Sequence, residues 1–261
     1  MQKNPLVSIL VANFNNSSYI KQCIDSLNPQ TYKNLEIIFF DDNSSDNSLE
    51  IIKQFSNVKI IENKIQTEFA SLNQLNAFKK AAAQSKGELI FLLDSDDYFI
   101  KEKIEKVVGY FRDNKKAKIV FNFPFIVENR NIYKDKIKNK VIKTYWSYIH
   151  PTSCISIRKD CFNELLKTIY YKDFTDIWLD LRICLFSKYI LKDFHIINEN
   201  LTFYRKTATN ESSKFKKFSK NWWKRRTQAH QFFQKFSKDN GLDFNRNLDF
   251  FVTKIICKFL K

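Results

Sequence analysis

The stretch Gly87-Glu88-Leu89-Ile90-Phe91-Leu92-Leu93-Asp94-Ser95-Asp96-Asp97 decides the fold. The continuous apolar run from Leu89 to Leu93 has the length of a strand buried on both faces, as in a parallel sheet. Three carboxylates in four positions follow where such a strand would leave the sheet. Like charges packed this closely are unfavourable unless a cation compensates them. Mn2+ or Mg2+ is a hard ion that takes oxygen ligands, commonly one or two carboxylates plus substrate phosphates. An acidic turn that only caps the next helix through Asp97 has the same appearance, so the run alone leaves both readings open.

Working outward, further short apolar runs at 7–12, 36–40, 58–61 and 118–123 read as strands beside 88–93. Helix-length amphipathic stretches separate them at about 18–27, 48–55, 69–84 and 101–112, and a later helix is expected from 176 to about 188. Asp46 and Ser48 are suited to capping the second helix, because a short side-chain oxygen accepts an orphan backbone N–H. Strands alternating with helices predict an α/β protein with a mainly parallel, Rossmann-like central sheet, here without a glycine fingerprint. Ligands of such sheets lie beyond the carboxyl ends of the strands. Asn13-Phe14-Asn15-Asn16, Asp41-Asp42-Asn43-Ser44 and Asp94-Ser95-Asp96-Asp97 all fall there, so three polar clusters are expected to converge on one edge. The segment 126–148 reads as irregular.

At 261 residues the chain is long enough for one catalytic-sized domain with a smaller appendage, placed at 1–205 and 206–261. The five cysteines are odd in number and contain no CxxC pair, so neither a disulfide framework nor a zinc site is indicated. No run approaches the roughly 18 apolar residues needed to span a bilayer, and a cytoplasmic location is expected. The formal charge is +16, and residues 207–261 hold 13 Lys or Arg against 4 Asp or Glu, a net +9. Charge concentrated in this way points the tail toward an anionic partner.

Read together in order, three motifs resemble the family 2 glycosyltransferases of GT-A fold. They are Pro5-Leu6-Val7-Ser8-Ile9-Leu10-Val11-Ala12-Asn13-Phe14-Asn15, the run from Tyr19 to Ser48 containing Asp41-Asp42-Asn43-Ser44-Ser45-Asp46, and the Gly87–Asp97 stretch. The resemblance spans residues 5–99 and continues more weakly in Thr175-Asp176-Ile177-Trp178-Leu179-Asp180-Leu181-Arg182 and Glu199-Asn200-Leu201-Thr202-Phe203-Tyr204-Arg205.

This likeness implies a metal-dependent inverting enzyme that moves a sugar from a nucleotide-sugar donor, UDP-linked for preference, to a hydroxyl of a glycan or lipid-linked saccharide in bacterial surface polysaccharide synthesis. It implies that Asp42 hydrogen-bonds the nucleotide base, that Ala12 and Phe14 contact the nucleotide, and that Asp94 and Asp96 form a DXD motif holding Mn2+ or Mg2+. Ser95, Asp97 and Asn76 fall near the donor by the same likeness, while Arg205 or Lys206 is placed to neutralise the diphosphate. Asp176 aligns with the catalytic base, with Asp173 or Asp180 the alternatives under a shifted register. Direct displacement by a sugar hydroxyl needs a carboxylate within reach of its proton. The departing nucleoside diphosphate needs its growing charge met by a metal or fixed dipoles. Three positions depart from the family pattern: Ala12 stands in place of Pro, Thr175 in place of Glu, and Lys206-Thr207 where a histidine is common.

The tail interleaves basic and aromatic residues. Phe215, Phe218, Trp222 and Arg225 or Arg226 fall at helical spacing, giving a helical basic extension with an apolar side. Such a helix either lies on an anionic membrane surface, here the cytoplasmic face of the inner membrane, or packs its aromatics on the catalytic domain. Nucleic acid is not an expected partner, because the acidic turn would repel it. A nucleotidyltransferase shares an open sheet and an acidic metal site but should carry a Gly- and Arg-rich loop after the first strand, and none follows Val11.

Overall fold

The computed structural model describes residues 4–135, 144–146, 148–207 and 214–260. In chain order these form β1 (Val7–Asn13), α1 (Ser17–Asp25), β2 (Leu35–Asp41), α2 (Ser48–Ile52), β3 (Val58–Glu62), α3 (Ala70–Ala83), β4 (Leu89–Asp94), β5 (Tyr98–Phe99), α4 (Lys103–Asp113), β6 (Ile119–Glu128) and β7 (Asn131–Lys134). After a 3-10 turn at Thr152–Cys154 come β8 (Ile155–Arg158), α5 (Lys159–Ile169), α6 (Leu179–Leu185), a π-helical turn at Phe186–Leu191, β9 (His195–Lys206), α7 (Lys220–Asp239) and α8 (Leu248–Phe259).

One sheet runs in the order β3-β2-β1-β4-β8-β6-β9-β5, with β7 paired to β6. The β3-β2-β1-β4 half is parallel, and β8 runs antiparallel between β4 and β6. Successive residues of a strand face opposite sides, which splits the core in two. Ile9, Val11, Phe39, Phe91 and Leu93 face α1 and α4, whereas Leu10, Ile38, Phe40, Ile90 and Leu92 face α3, α5, α6 and α7. The five expected strands and four N-terminal helices are all present within a few residues. Registers Asn13↔Asp41 and Ala12↔Asp94 bring the three polar clusters to one edge of the sheet.

Gly87 marks the point where the chain enters β4 against β1. A Cβ there would lie 2.5 Å from Ser8 Oγ, 2.6 Å from Ser8 N and 2.8 Å from the Leu6 carbonyl oxygen, so no larger residue fits without backbone movement.

Three sequence expectations are corrected. Part of 126–148 is ordered as a hairpin: Glu128 pairs with Asn131, and Asn129 and Arg130 turn the chain with φ of 49° and 68°. Of the remainder, 136–143 and 147 lie outside the described residues. The helix expected from 176 starts at Leu179 and passes into the π-helical turn. Phe215 and Phe218 precede the tail helix instead of lying on it, because Phe218 has φ 68° and Ser219 caps α7 by accepting from Trp222 N.

Ala229, Phe232, Phe233 and Phe236 of α7 are buried in the same cluster as β1 and β4. Asp249 ties α8 to α7 through Arg226 and His230. The phenylalanines of α7 therefore pack inward, Trp222 and Trp223 at its start stay half-buried, and beyond Ser219 the large exposed apolar residues lie on α8. Leu248, Phe251, Ile255 and Phe259 are 67%, 48%, 56% and 85% exposed, and their spacing of three or four residues puts them on one stripe.

Candidate active site

The polar edge is assembled by hydrogen bonds between the three clusters. Asn13 Nδ2 donates to Asp41 Oδ1 at 2.8 Å, and Asp41 also accepts from the Ser44 amide and hydroxyl at 2.9 and 2.7 Å. Asp46 accepts from Ser17 N at 2.9 Å and Ser48 N at 3.0 Å, so it satisfies the first amide of both α1 and α2, although the N-cap position of α2 is Asn47, not Asp46 or Ser48 as the sequence suggested. These two aspartates hold the frame. Asp42, next in the chain, has other partners: its Oδ1 accepts from Asn63 Nδ2 at 2.6 Å and its Oδ2 from Gln66 Nε2 at 3.0 Å. Burial raises its pKa, and these two donors oppose the rise. Phe14 stands 48% exposed at the same edge, and the carbonyl of Ala12 accepts from Ser95 N at 3.0 Å.

Within the acidic turn the side chains divide. Ser95 is fully buried; its hydroxyl donates to Asn13 Oδ1 at 2.7 Å and accepts from Asn16 Nδ2 at 3.0 Å. Asp97 is also fully buried, accepting from Ser153 Oγ at 2.6 Å and from Arg205 N at 2.8 Å. Both residues point into the protein and brace the turn. Asp94 and Asp96 are only partly buried. Asp94 accepts from Gln74 Nε2 at 2.9 Å. Burial, then the charge of Asp96, pushes its pKa up to about 7; burial lifts Asp96 to about 6, against the pull of Arg205.

Arg205 clamps the turn from β9. Its Nη1 donates to the Asp96 carbonyl at 2.5 Å and its Nη2 to Gln22 Oε1. The guanidinium lies over the rings of Tyr19 and Tyr98, at 4.7 and 5.0 Å. Asn76 is not brought to this edge: its Oδ1 accepts from Tyr170 OH at 2.9 Å, because its direction on α3 faces the end of α5. Gln74, two residues earlier on the same helix, is the one that reaches Asp94, and the sequence reading missed it.

The later aspartates sit on a loop held by a fully buried arginine. Arg182 donates to the carbonyls of Ile177, Ile169 and Phe174 at 2.8, 2.7 and 2.8 Å and to that of Tyr171 at 3.2 Å. Ser71 of α3 bonds the Thr175 carbonyl from the other side. Asp176, partly exposed on this loop, accepts from Gln228 Nε2 at 3.1 Å through Oδ2, while its N donates to Gln228 Oε1 at 3.0 Å. Asp180, in the first turn of α6, accepts from Leu181 N at 2.6 Å. Its charge reaches both Asp94 and Arg225, and Arg225 also feels Asp176. Asp173 is exposed.

Among the described residues no three His, Cys, Asp or Glu side chains converge as a metal cage. Asp94 and Asp96 nonetheless fit a Mn2+ or Mg2+ ion that takes its other ligands from a diphosphate and water. Two neighbouring carboxylates held above their usual range by burial are what such a cation would relieve.

An open sheet of this order, with polar loops gathered at the ends of β1, β2 and β4, is that of the GT-A glycosyltransferases. The crystal structure of Staphylococcus aureus TarS 1-349 in complex with UDP-GlcNAc superposes with a TM-score of 0.65 over 97% of this chain and 71% of that one, at 16% identity. A Pyrobaculum calidifontis mannosyltransferase in complex with GDP-Man and Mn2+ gives 0.57 over 98% and 70%, at 13% identity. The chain belongs to glycosyl transferase family 2, whose sequence profile matches residues 8–178. It is 28% identical over 224 residues to an Escherichia coli UDP-Glc:alpha-D-GlcNAc-diphosphoundecaprenol beta-1,3-glucosyltransferase, WfgD, covering 83% of this chain and 84% of that protein. An uncharacterized glycosyltransferase from Nostoc is 26% identical over 78% of this chain, which spans 66% of that relative's length.

Proposed function

We propose that this protein is an inverting glycosyltransferase that takes a sugar from a UDP-sugar and passes it to a hydroxyl of a lipid-linked saccharide during bacterial surface polysaccharide synthesis. The observation that carries this reading is the pair Asp94 and Asp96, left partly exposed at the sheet edge while Ser95 and Asp97 are consumed in bracing them. Asp42, braced by Asn63 and Gln66, supplies an acceptor for the N–H of a pyrimidine base, with Phe14 and Ala12 flanking it. Asp94 and Asp96 hold the metal, which would act as a Lewis acid on the departing diphosphate. Arg205 fixes the backbone of the turn and adds positive charge beside it. Asp176 accepts the proton of the attacking hydroxyl, oriented by Gln228 and by the Arg182-bound loop.

A second reading of the base rests on one observation: Asp180, not Asp176, is the late aspartate whose charge reaches Asp94. Initial rates with a panel of UDP-sugars, with Mn2+ and with chelator, test the whole assignment. Asp176→Asn is expected to lower kcat by about 10²–10⁴ with UDP affinity intact. If Asp180→Asn shows that loss and Asp176→Asn does not, the base is Asp180. Absence of UDP binding in Mn2+ would defeat the donor assignment.

Attachment of the enzyme to the cytoplasmic face of an anionic membrane belongs to the same proposal. The α8 stripe is the apolar element, and the net +9 of residues 207–261 supplies attraction to anionic headgroups. No helix of the described residues is long and apolar enough to cross a membrane.

A further inference from the structure

Between the start of α7, the end of α8 and the loop carrying Asp176 lies a groove of about 500 Å³. Its lining is of two kinds. Lys220 and Lys224 stand four residues apart on α7, so their side chains rise from one helix face. Both are exposed, and neither has an ion-pair partner among the described residues. Cys257 and Leu260 provide an apolar wall, and Asp176, hydrogen-bonded to Gln228, closes the groove on the side of the loop.

Two ammonium groups a helical turn apart, next to an apolar wall, are complementary to an amphipathic anion: a phosphate or diphosphate bearing a hydrocarbon chain. The nucleotide donor does not answer this description, and its binding edge is the turn at Asp94 and Asp96. We infer that the groove binds the phosphate-bearing stem of a lipid-linked acceptor, with Lys220 and Lys224 holding the phosphates, Cys257 and Leu260 receiving the start of the chain, and the acceptor sugar directed to Asp176. The inference rests on the acceptor-side role proposed above for Asp176. It makes the extension the part of the enzyme that recognises the acceptor.

Farnesyl diphosphate serves as the probe, titrated onto the whole protein already saturated with UDP and Mn2+ so that the donor site is filled. Trp222 and Trp223, which immediately precede Lys224, report binding by fluorescence. Farnesyl diphosphate should bind saturably and at least tenfold more tightly than farnesol or inorganic pyrophosphate. Lys220→Gln with Lys224→Gln should weaken it at least tenfold and leave UDP affinity unchanged, whereas Lys220→Arg with Lys224→Arg should restore it to within threefold. Equal binding of pyrophosphate or of farnesol, or full affinity in the glutamine variant, overturns the inference. So does displacement of the probe by phosphatidylglycerol vesicles through these lysines, which would make the groove part of a membrane contact. Loss of UDP binding in the native protein would instead count against the glycosyltransfer reading, so the two failures are distinguishable.

Discussion

Replacing Asp94 by Asn should change the way stability depends on pH, and the change has a definite sign. In the folded protein Asp94 titrates at about 7, against 3.8 as the ordinary value. Between those two values the native state holds a proton that the unfolded chain has released, so stability falls as pH rises. The contribution is complete below 3.8 and gone above about 7. Each pH unit inside the window is worth about 1.4 kcal/mol per group. From pH 5 to pH 7, allowing for the partial exposure of Asp94, the loss is on the order of 2 kcal/mol. For a chain of this size that corresponds to roughly 4–8 °C in Tm. His150 acts in the opposite sense, because burial lowers it from 6.5 to about 4 and the unfolded chain then binds the extra proton. The comparison is therefore native against Asp94→Asn, by thermal unfolding at pH 5, 6, 7 and 8 in chelator. The native protein should lose Tm relative to the variant across this range, and Mn2+ with UDP should raise native Tm more at pH 8 than at pH 5. Parallel pH curves for the two proteins would falsify the claim that Asp94 is held protonated by its surroundings.

Asp96→Ala should remove metal-dependent UDP binding while leaving the circular dichroism spectrum unchanged; calorimetry of UDP with Mn2+ checks it, and native affinity in the variant would rule out a metal role. Gly87→Ala should destabilise the fold by about 1–3 kcal/mol, since the new Cβ meets backbone at 2.6 and 2.8 Å; an unchanged urea midpoint would show that β1 and β4 yield easily. Phe251→Glu with Ile255→Glu should release the protein from phosphatidylglycerol vesicles in sedimentation at low salt, with Tm little altered because both side chains are exposed. High salt should weaken native binding too, surface attraction being screened over about 8–10 Å.

The parallel half of the fold was legible because strand signals there are local: continuous apolar runs ending in polar clusters at β1, β2 and β4. The second half was not. The β6–β7 hairpin turns on Asn129-Arg130, which lacks the glycine that usually marks two positive φ values, and the partner strands of β8 and β9 are set by packing across long sequence separations. At the site, the sequence identified which carboxylates cluster but not which way each one faces. The Asp97 carboxylate is satisfied by Ser153 and Arg205, 56 and 108 residues further along the chain, whereas that of Asp94 accepts from Gln74. Gln74 was hidden among polar neighbours on α3, because helical period alone does not say which of Asn73, Gln74 and Asn76 meets the acidic turn. Arg182 carried no sign that its guanidinium would be taken up by backbone carbonyls.

The bond from Arg205 N to Asp97 spans 108 residues, and this separation has a kinetic consequence. Until β9 has been synthesised and docked, Asp97 is a carboxylate that cannot be buried without leaving an oxygen unsatisfied. The acidic turn, although encoded in the first hundred residues, therefore cannot close early. A nascent chain stopped near residue 178, where the family profile ends, would still have this turn hydrated and β4 without its finished surroundings. Closure of so long a loop delays folding, so the last-made strand, not the motif itself, sets the moment at which the acidic turn is completed.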